Sequence, residues 1–182
     1  MTIALTGLAG LPRLRRSVRR LRASSWDRTG ANEDWWNFKP GESRTIAHAA
    51  GPGCIRHIWM TMESHEYGWP RQIMLRMWWD GEAMPSVEVP IGDFFGIGHG
   101  VLKNFACTPF QMSPQDGRGF NCWFPMPFAS EMRIEVTNES AADYVLYFYV
   151  DYEAYGPDAP EAAGRAGAAR SGTSRPWTSS RW

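Results

Sequence analysis

Apolar and polar positions alternate with a period of two through most of the chain between residues 54 and 152. Ile73, Leu75, Met77 and Trp79 are separated by Met74, Arg76 and Trp78, and Val87, Val89 and Ile91 alternate with Ser86, Glu88 and Pro90. Met132, Ile134 and Val136 sit between Glu131, Arg133, Glu135 and Thr137, and Leu146, Phe148, Val150 and Tyr152 complete the set. Strict alternation places one set of side chains on a buried sheet face and the other on a wet one, so these runs predict half-buried β-strands. In Cys54–Thr61 both alternating sets are bulky, which predicts a strand covered on both faces. Turn signals separate the runs: Pro40-Gly41, Gly51-Pro52-Gly53, Asp80-Gly81, Gly92-Asp93, Gly117 and Asn138. Many short strands at this spacing, with no helical periodicity after residue 22, predict an all-β fold. The architecture is an antiparallel β-sandwich of jelly-roll type over residues 23–155.

The two ends follow other patterns. Leu14, Val18 and Leu21 recur at helical spacing with arginines between them, predicting a short basic amphipathic N-terminal helix within residues 1–22. Such a helix docks on its own protein, on a sister subunit or on a membrane surface. From Gly156 onward Ala, Gly, Ser, Arg and Pro dominate without apolar periodicity. Residues 156–182 are therefore expected to form a low-complexity, disordered tail, because burial does not offset the entropy of ordering them. The stretch GRGFNCWFPMPF, residues 117–128, has Pro125 and Pro127 where a central ladder needs N–H donors, and reads as an edge strand or an extended ridge.

Charge and cysteine usage narrow the partners. The chain is neutral overall, with 19 basic and 19 acidic residues, but residues 1–22 carry six arginines and no acid. Residues 23–155 hold nine basic residues against seventeen acidic ones, so the body argues against nucleic acid, whose phosphates need clustered Lys and Arg. Eight of the ten tryptophans lie in that body, a density found in carbohydrate-handling proteins and in large aromatic cores. Cys54, Cys107 and Cys122 form no CxxC pair, and reduced thiols in a cytoplasmic setting are the simpler reading. No apolar run reaches the roughly 20 residues of a membrane span.

Reactive constellations are few. Two facing carboxylates can serve glycoside hydrolysis, and Glu82 with Glu88 or Asp93 with Asp116 are the conceivable pairs, although Asp80-Gly81 and Gly92-Asp93 read as turns and Glu88 alternates outward. His48, His57, His65 and His99 lack ligand spacing, so no metal site is expected from them. No nucleophile elbow supports a Ser-His-Asp arrangement. The glycine-rich GDFFGIGHG, residues 92–100, lacks the GK[ST] ending of a phosphate loop and reads as a tight loop presenting Phe94, Phe95 and His99.

In order along the chain, SSWDRTGANEDWW (24–36), PGES (40–43), GPGCIRHIWMT (51–61), LRMWWDGEAMPSVEVPIGDFFGIGHG (75–100), GRGFNCWFPMPF (117–128), IEVTNES (134–140) and LYFYVDYE (146–153) resemble the N-terminal half of glycoside hydrolase family 172. The resemblance runs from about residue 10 to about residue 155. It implies a retaining glycosidase acting on furanosides such as difructose anhydrides, fructofuranosides or D-arabinofuranosides. It further implies two jelly rolls in one chain, trimers or pairs of trimers, an active site near a subunit interface and no cofactor. The stretch Thr29-Gly30-Ala31-Asn32-Glu33-Asp34-Trp35 matches a family loop of Asn-x-Asp-aromatic type, making Asn32, Asp34 and Trp35 the candidate sugar-binding residues. Asn and Asp fix sugar hydroxyls by directional hydrogen bonds, and an indole supplies an apolar platform. An Asx-type turn with Trp35 and Trp36 in the core accounts for the same residues.

The family's two catalytic glutamates lie in a Gly-Glu-Gly-Asp and a Gly-Thr-Glu-Asp-Tyr stretch, and neither occurs here. No catalytic role is carried over to any residue of this chain. It is expected to be a truncated family member, a frameshift product or a short paralogue, inactive alone. A non-catalytic carbohydrate-binding jelly roll and an oligomer-assembly jelly roll are the alternatives.

Overall fold

The alternating runs pair into two antiparallel sheets. The computed structural model describes residues 17–159. Its strands are β1 Val18–Ser24, β2 Trp36–Phe38, β3 Ser43–Ala50, β4 Gly53–Ser64, β5 Ile73–Trp79, β6 Val87–Pro90, β7 Phe105–Ala106, β8 Phe110–Met112, β9 Phe120–Cys122, β10 Met126–Phe128, β11 Glu131–Asn138 and β12 Tyr144–Tyr155. The larger sheet runs β1-β12-β4-β9-β8-β7, with β2 added on β12 and β10 on β4, and the smaller runs β3-β11-β5-β6. The result is an antiparallel β-sandwich of jelly-roll type.

The core forms between the sheets. Ile73, Leu75, Met77, Met132, Ile134 and Val136 of the smaller sheet are buried in one cluster with Ile58, Met60, Leu146, Phe148 and Val150 of the larger. Each such side chain contributes about 1.5–3 kcal/mol on burial.

Strand β4 corrects one expectation. Ile58, Met60 and Met62 are buried while His57, Trp59 and Thr61 are half-exposed, so the strand is covered by the core on one side only. Both alternating sets are bulky because the inward parity changes: β12 pairs Asp151 with His57 but Tyr152 with Ile55, and the bulge leaves Arg56 without a cross-strand mate. Beyond the bulge Cys54 packs with Tyr155 and Ala159 in a small second cluster. Beside it the buried Glu153 carboxylate accepts from Arg56 Nε at 2.8 Å and Tyr155 Oη at 3.2 Å.

The N-terminal helix is corrected where it is described. Val18 and Leu21 lie on β1, which pairs residue by residue with β12, from Val18 opposite Tyr155 to Ser24 opposite Tyr149, because the edge of β12 satisfies its backbone and Ala23 reaches the core. The remainder of that predicted helix, residues 1–16, lies outside the described residues. The first residues of the expected tail are ordered: the Gly156 N–H donates to the Ser17 carbonyl at 2.7 Å, and Ala159 is buried. Residues 160–182 lie outside the described residues.

Two other segments differ from their sequence reading. Ile91–Phe94 is a single helical turn, α1, and Phe95 after it is buried with its ring 5.4 Å from that of Phe120, so the 92–100 loop leaves His99 exposed but puts Phe95 in the core. Within 117–128, β10 with Pro127 has the predicted edge character, whereas β9 is interior, paired with β4 and β8.

Candidate functional site

Strands β4 and β12 run antiparallel, and their register puts four cross-strand pairs on the face away from the core: Asp151 with His57, Tyr149 with Trp59, Tyr147 with Thr61, and Val145 with Glu63. At the last of these, β2 joins the far side of β12, pairing Asn37 with Val145. A cleft of about 690 Å³ opens there. Its walls carry the side chains of Asn37, Glu63, Ser64, His65, Arg118 and Asp143, and Tyr147 contributes an aromatic wall.

Hydrogen bonds fix the polar side of this cleft. The Asp143 carboxylate accepts from Lys39 Nζ at 2.6 Å and from Asn37 Nδ2 at 3.1 Å, and those two contacts hold its pKa below the ordinary carboxylate value. The Ser64 hydroxyl donates to the Asp143 carbonyl at 2.9 Å. Arg118 Nη1 lies 4.0 Å from Glu63 Oε2 with both side chains exposed, a weak surface pair that leaves them open to a ligand. Carboxylate acceptors, amide and guanidinium donors and hydroxyls around an aromatic wall suit a neutral polyhydroxylated molecule.

The predicted loop stands beside the cleft without lining it. Asp27 organises it, accepting from the Thr29 N–H at 2.8 Å, the Thr29 hydroxyl at 2.7 Å and the Glu33 N–H at 3.3 Å. Asp34 accepts from the Asp27 N–H at 2.8 Å, and Asn32 is exposed. Trp35 is 38% exposed and packs its ring 5.9 Å from that of Tyr147. Of the three candidates, Trp35 is the one whose ring packs against a cleft-lining side chain.

The other candidate carboxylates are engaged elsewhere. Glu82 accepts from the Ser86 hydroxyl at 2.6 Å, Glu88 from Arg76 at 2.7 Å, Asp93 from Arg71 at 2.7 Å, and Asp116 from the Asn104 N–H at 2.9 Å. Asp116 and Asp143 are held below their ordinary value, whereas a glycosidic general acid needs the opposite shift. Among the described residues no three His, Cys, Asp or Glu side chains are grouped to hold a metal ion. No disulfide joins the cysteines, and burial pushes the Cys122 thiol up to about 11.

The model of the GH172 first beta-sandwich domain matches residues 16–162. The chain belongs to the GH172 family. The GH172 match takes in β1 and the turn after β12, both of which the sequence pattern placed largely outside the sandwich body. A comparison with curated proteins finds no match. Among solved structures, the infectious bursal disease virus VP2 subviral particle is similar at 10% identity over 88% of this chain and 39% of that one, with a TM-score of 0.44. The T=1 particle derived from infectious bursal virus is similar at 12% identity over 88% and 38%, with a TM-score of 0.40. The GH172 chain thus spans about two fifths of the length of these capsid proteins, and likeness at this level carries no inference about function. No helix among its described residues is long and apolar enough to cross a membrane.

Proposed function

We propose that this GH172 chain supplies one wall of a furanoside-binding pocket and does not hydrolyse glycosides by itself. The GH172 match over residues 16–162 carries the reading. The substrate class is the one the family resemblance implies: a fructofuranoside, a difructose anhydride or a D-arabinofuranoside. The cleft between β2, β12 and β4 takes the sugar hydroxyls with Asn37, Ser64 and Asp143, while Tyr147, backed by Trp35, faces the C–H side of the ring. Asn32 sits on the neighbouring loop as a further contact to the outer hydroxyls, and Asp34 holds that loop in shape.

Hydrolytic silence follows from the carboxylates. A retaining mechanism needs two carboxyl groups about 5 Å apart, one attacking the anomeric carbon and one protonated to release the leaving oxygen. Asp143 is held as an anion by Lys39 and Asn37, so it does not stand as the proton donor. A subunit or domain that supplies both groups completes the site, in keeping with the trimeric assembly that the family resemblance implies.

Titration calorimetry of the purified chain with a fructofuranoside and an arabinofuranoside tests the binding role. Asn37→Ala is expected to weaken binding about fivefold or more, the loss of a hydrogen bond to a polar ligand in a partly enclosed site. Equal affinity of the variant and the natural chain contradicts the assignment of the cleft.

A further inference from the structure

The outward face of β4 and β12 carries more than the cleft. Its far end holds Trp123, the residue that follows β9. The Trp123 indole lies flat on the His57 imidazole, with ring centroids 5.1 Å apart and planes 10° from parallel. His57 is held at both nitrogens: Nδ1 lies 3.4 Å from Asp151 Oδ2 and Nε2 lies 3.0 Å from Asn121 Oδ1. Asp151 is fixed in turn by Arg22, whose Nε and Nη2 donate to its two oxygens at 2.5 and 2.9 Å. The Trp123 backbone N–H donates to the Pro109 carbonyl at 2.8 Å. A hydrogen-bonded pedestal thus holds one face of an indole, which remains 41% exposed. An aromatic face fixed in this way binds with little loss of side-chain freedom.

Between that indole and the cleft the rows continue. Tyr149 is stacked on Trp59 at 4.8 Å, with the Arg22 guanidinium 4.3 Å from its ring centre. The next row is Tyr147, against which Trp35 packs, and the one after it is the cleft. Rows two residues apart on a strand are separated by about 6.6 Å, so His57 to Glu63 spans about 20 Å. Asn121, Thr61 and the neutralised Arg22–Asp151 pair place polar groups among the rings.

We propose that this row is a binding track for a saccharide chain, with Trp123 as a stacking platform for the sugar units that extend beyond the cleft. The proposal rests on the reading of the cleft as a sugar site and adds a second, distal subsite to it. The C–H face of a sugar ring seats on the indole, and the side chains of Asn121 and Gln111 on the neighbouring strands meet its hydroxyls. The occupant is therefore an oligosaccharide, not a single sugar.

Titration of the chain with inulin-type fructo-oligosaccharides of two and of six units tests the track. The natural chain is expected to bind the six-unit ligand at least fivefold more tightly. Trp123→Ala should remove that advantage and leave the two-unit affinity unchanged, whereas Asn37→Ala weakens both. Trp123 lies at the surface, and a thermal melt checks that its variant is folded. In the natural chain the Trp123 indole N–H resonance should shift with the six-unit ligand only. Equal affinity for both lengths, or an unmoved Trp123 resonance, overturns the track and leaves the cleft standing. Failure of both ligands to bind overturns the track together with the cleft. If Trp123→Ala alters sedimentation but not sugar affinity, the face is a contact between protein molecules and the proposal fails.

Discussion

Tyr144 is fully buried, and its hydroxyl finds no hydrogen-bond partner among the described residues, while burial raises its pKa well above the ordinary value. An unpartnered buried hydroxyl is destabilising. Tyr144→Phe is therefore expected to leave stability unchanged or to raise it by up to about 1 kcal/mol, read from urea unfolding midpoints; a loss larger than that would show the hydroxyl to be bonded. Asp80 is the opposite case, a carboxylate whose Oδ1 accepts from the N–H groups of Ala129, Ser130 and Glu131 at 2.8, 2.7 and 3.2 Å. Burial pushes its pKa up, but these donors outweigh that effect and hold it below the ordinary 3.8. A depressed carboxyl contributes stability that is present above its unfolded value and is lost as pH falls through the folded one. Asp80→Ala should cost about 1–3 kcal/mol at neutral pH. It should also flatten the fall in stability below pH 3.8, and an unchanged acid-unfolding profile would contradict this role. The sequence showed Asp80-Gly81 as a turn, and the turn exists, with φ of 53° and 80°. That the same carboxylate ties down the turn between β10 and β11 depends on a contact some 50 residues away, which no local pattern encodes.

At the scale of elements, Gly53 opens β4 where the strands β4, β10 and β12 meet. A Cβ there would lie 2.4 Å from the Phe128 ring and 2.5 Å from the Glu153 carbonyl, so Gly53→Ala forces β10 and β12 apart. Overpacking of this kind costs about 1–3 kcal/mol or more, measurable as a lowered melting temperature; a variant as stable as the natural chain would refute the close approach. The strand runs from Ile73 to Trp79 and from Glu131 to Asn138 were legible because one face of each is buried and the other is wet. Residues Val18 and Leu21 misled for a physical reason. Three apolar residues at helical spacing are too few to fix a helix, and pairing with β12 gives the same segment a complete ladder. Phe94 and Phe95 misled similarly, since a glycine-rich loop folds its aromatics inward when a core lies beneath it.

At the scale of the molecule, the sandwich and the GH172 family were legible in the order of the motifs, whereas the cleft was not. Asn37 and Asp143 come from positions 106 residues apart and meet because β2 pairs with the start of β12. The sequence pointed instead to Asn32, Asp34 and Trp35, of which Trp35 adjoins the cleft through Tyr147. His57, dismissed as a ligand for want of spacing, turns out to be the support of an exposed indole. Binding without turnover is directly measurable. Saturation-transfer NMR of an aryl furanoside mixed with the purified 182-residue chain reads both halves of it in one sample. Transfer of saturation from protein to sugar is expected while the anomeric signal of the intact furanoside persists. Absence of transfer, or decay of that signal at an enzymatic rate, would contradict it.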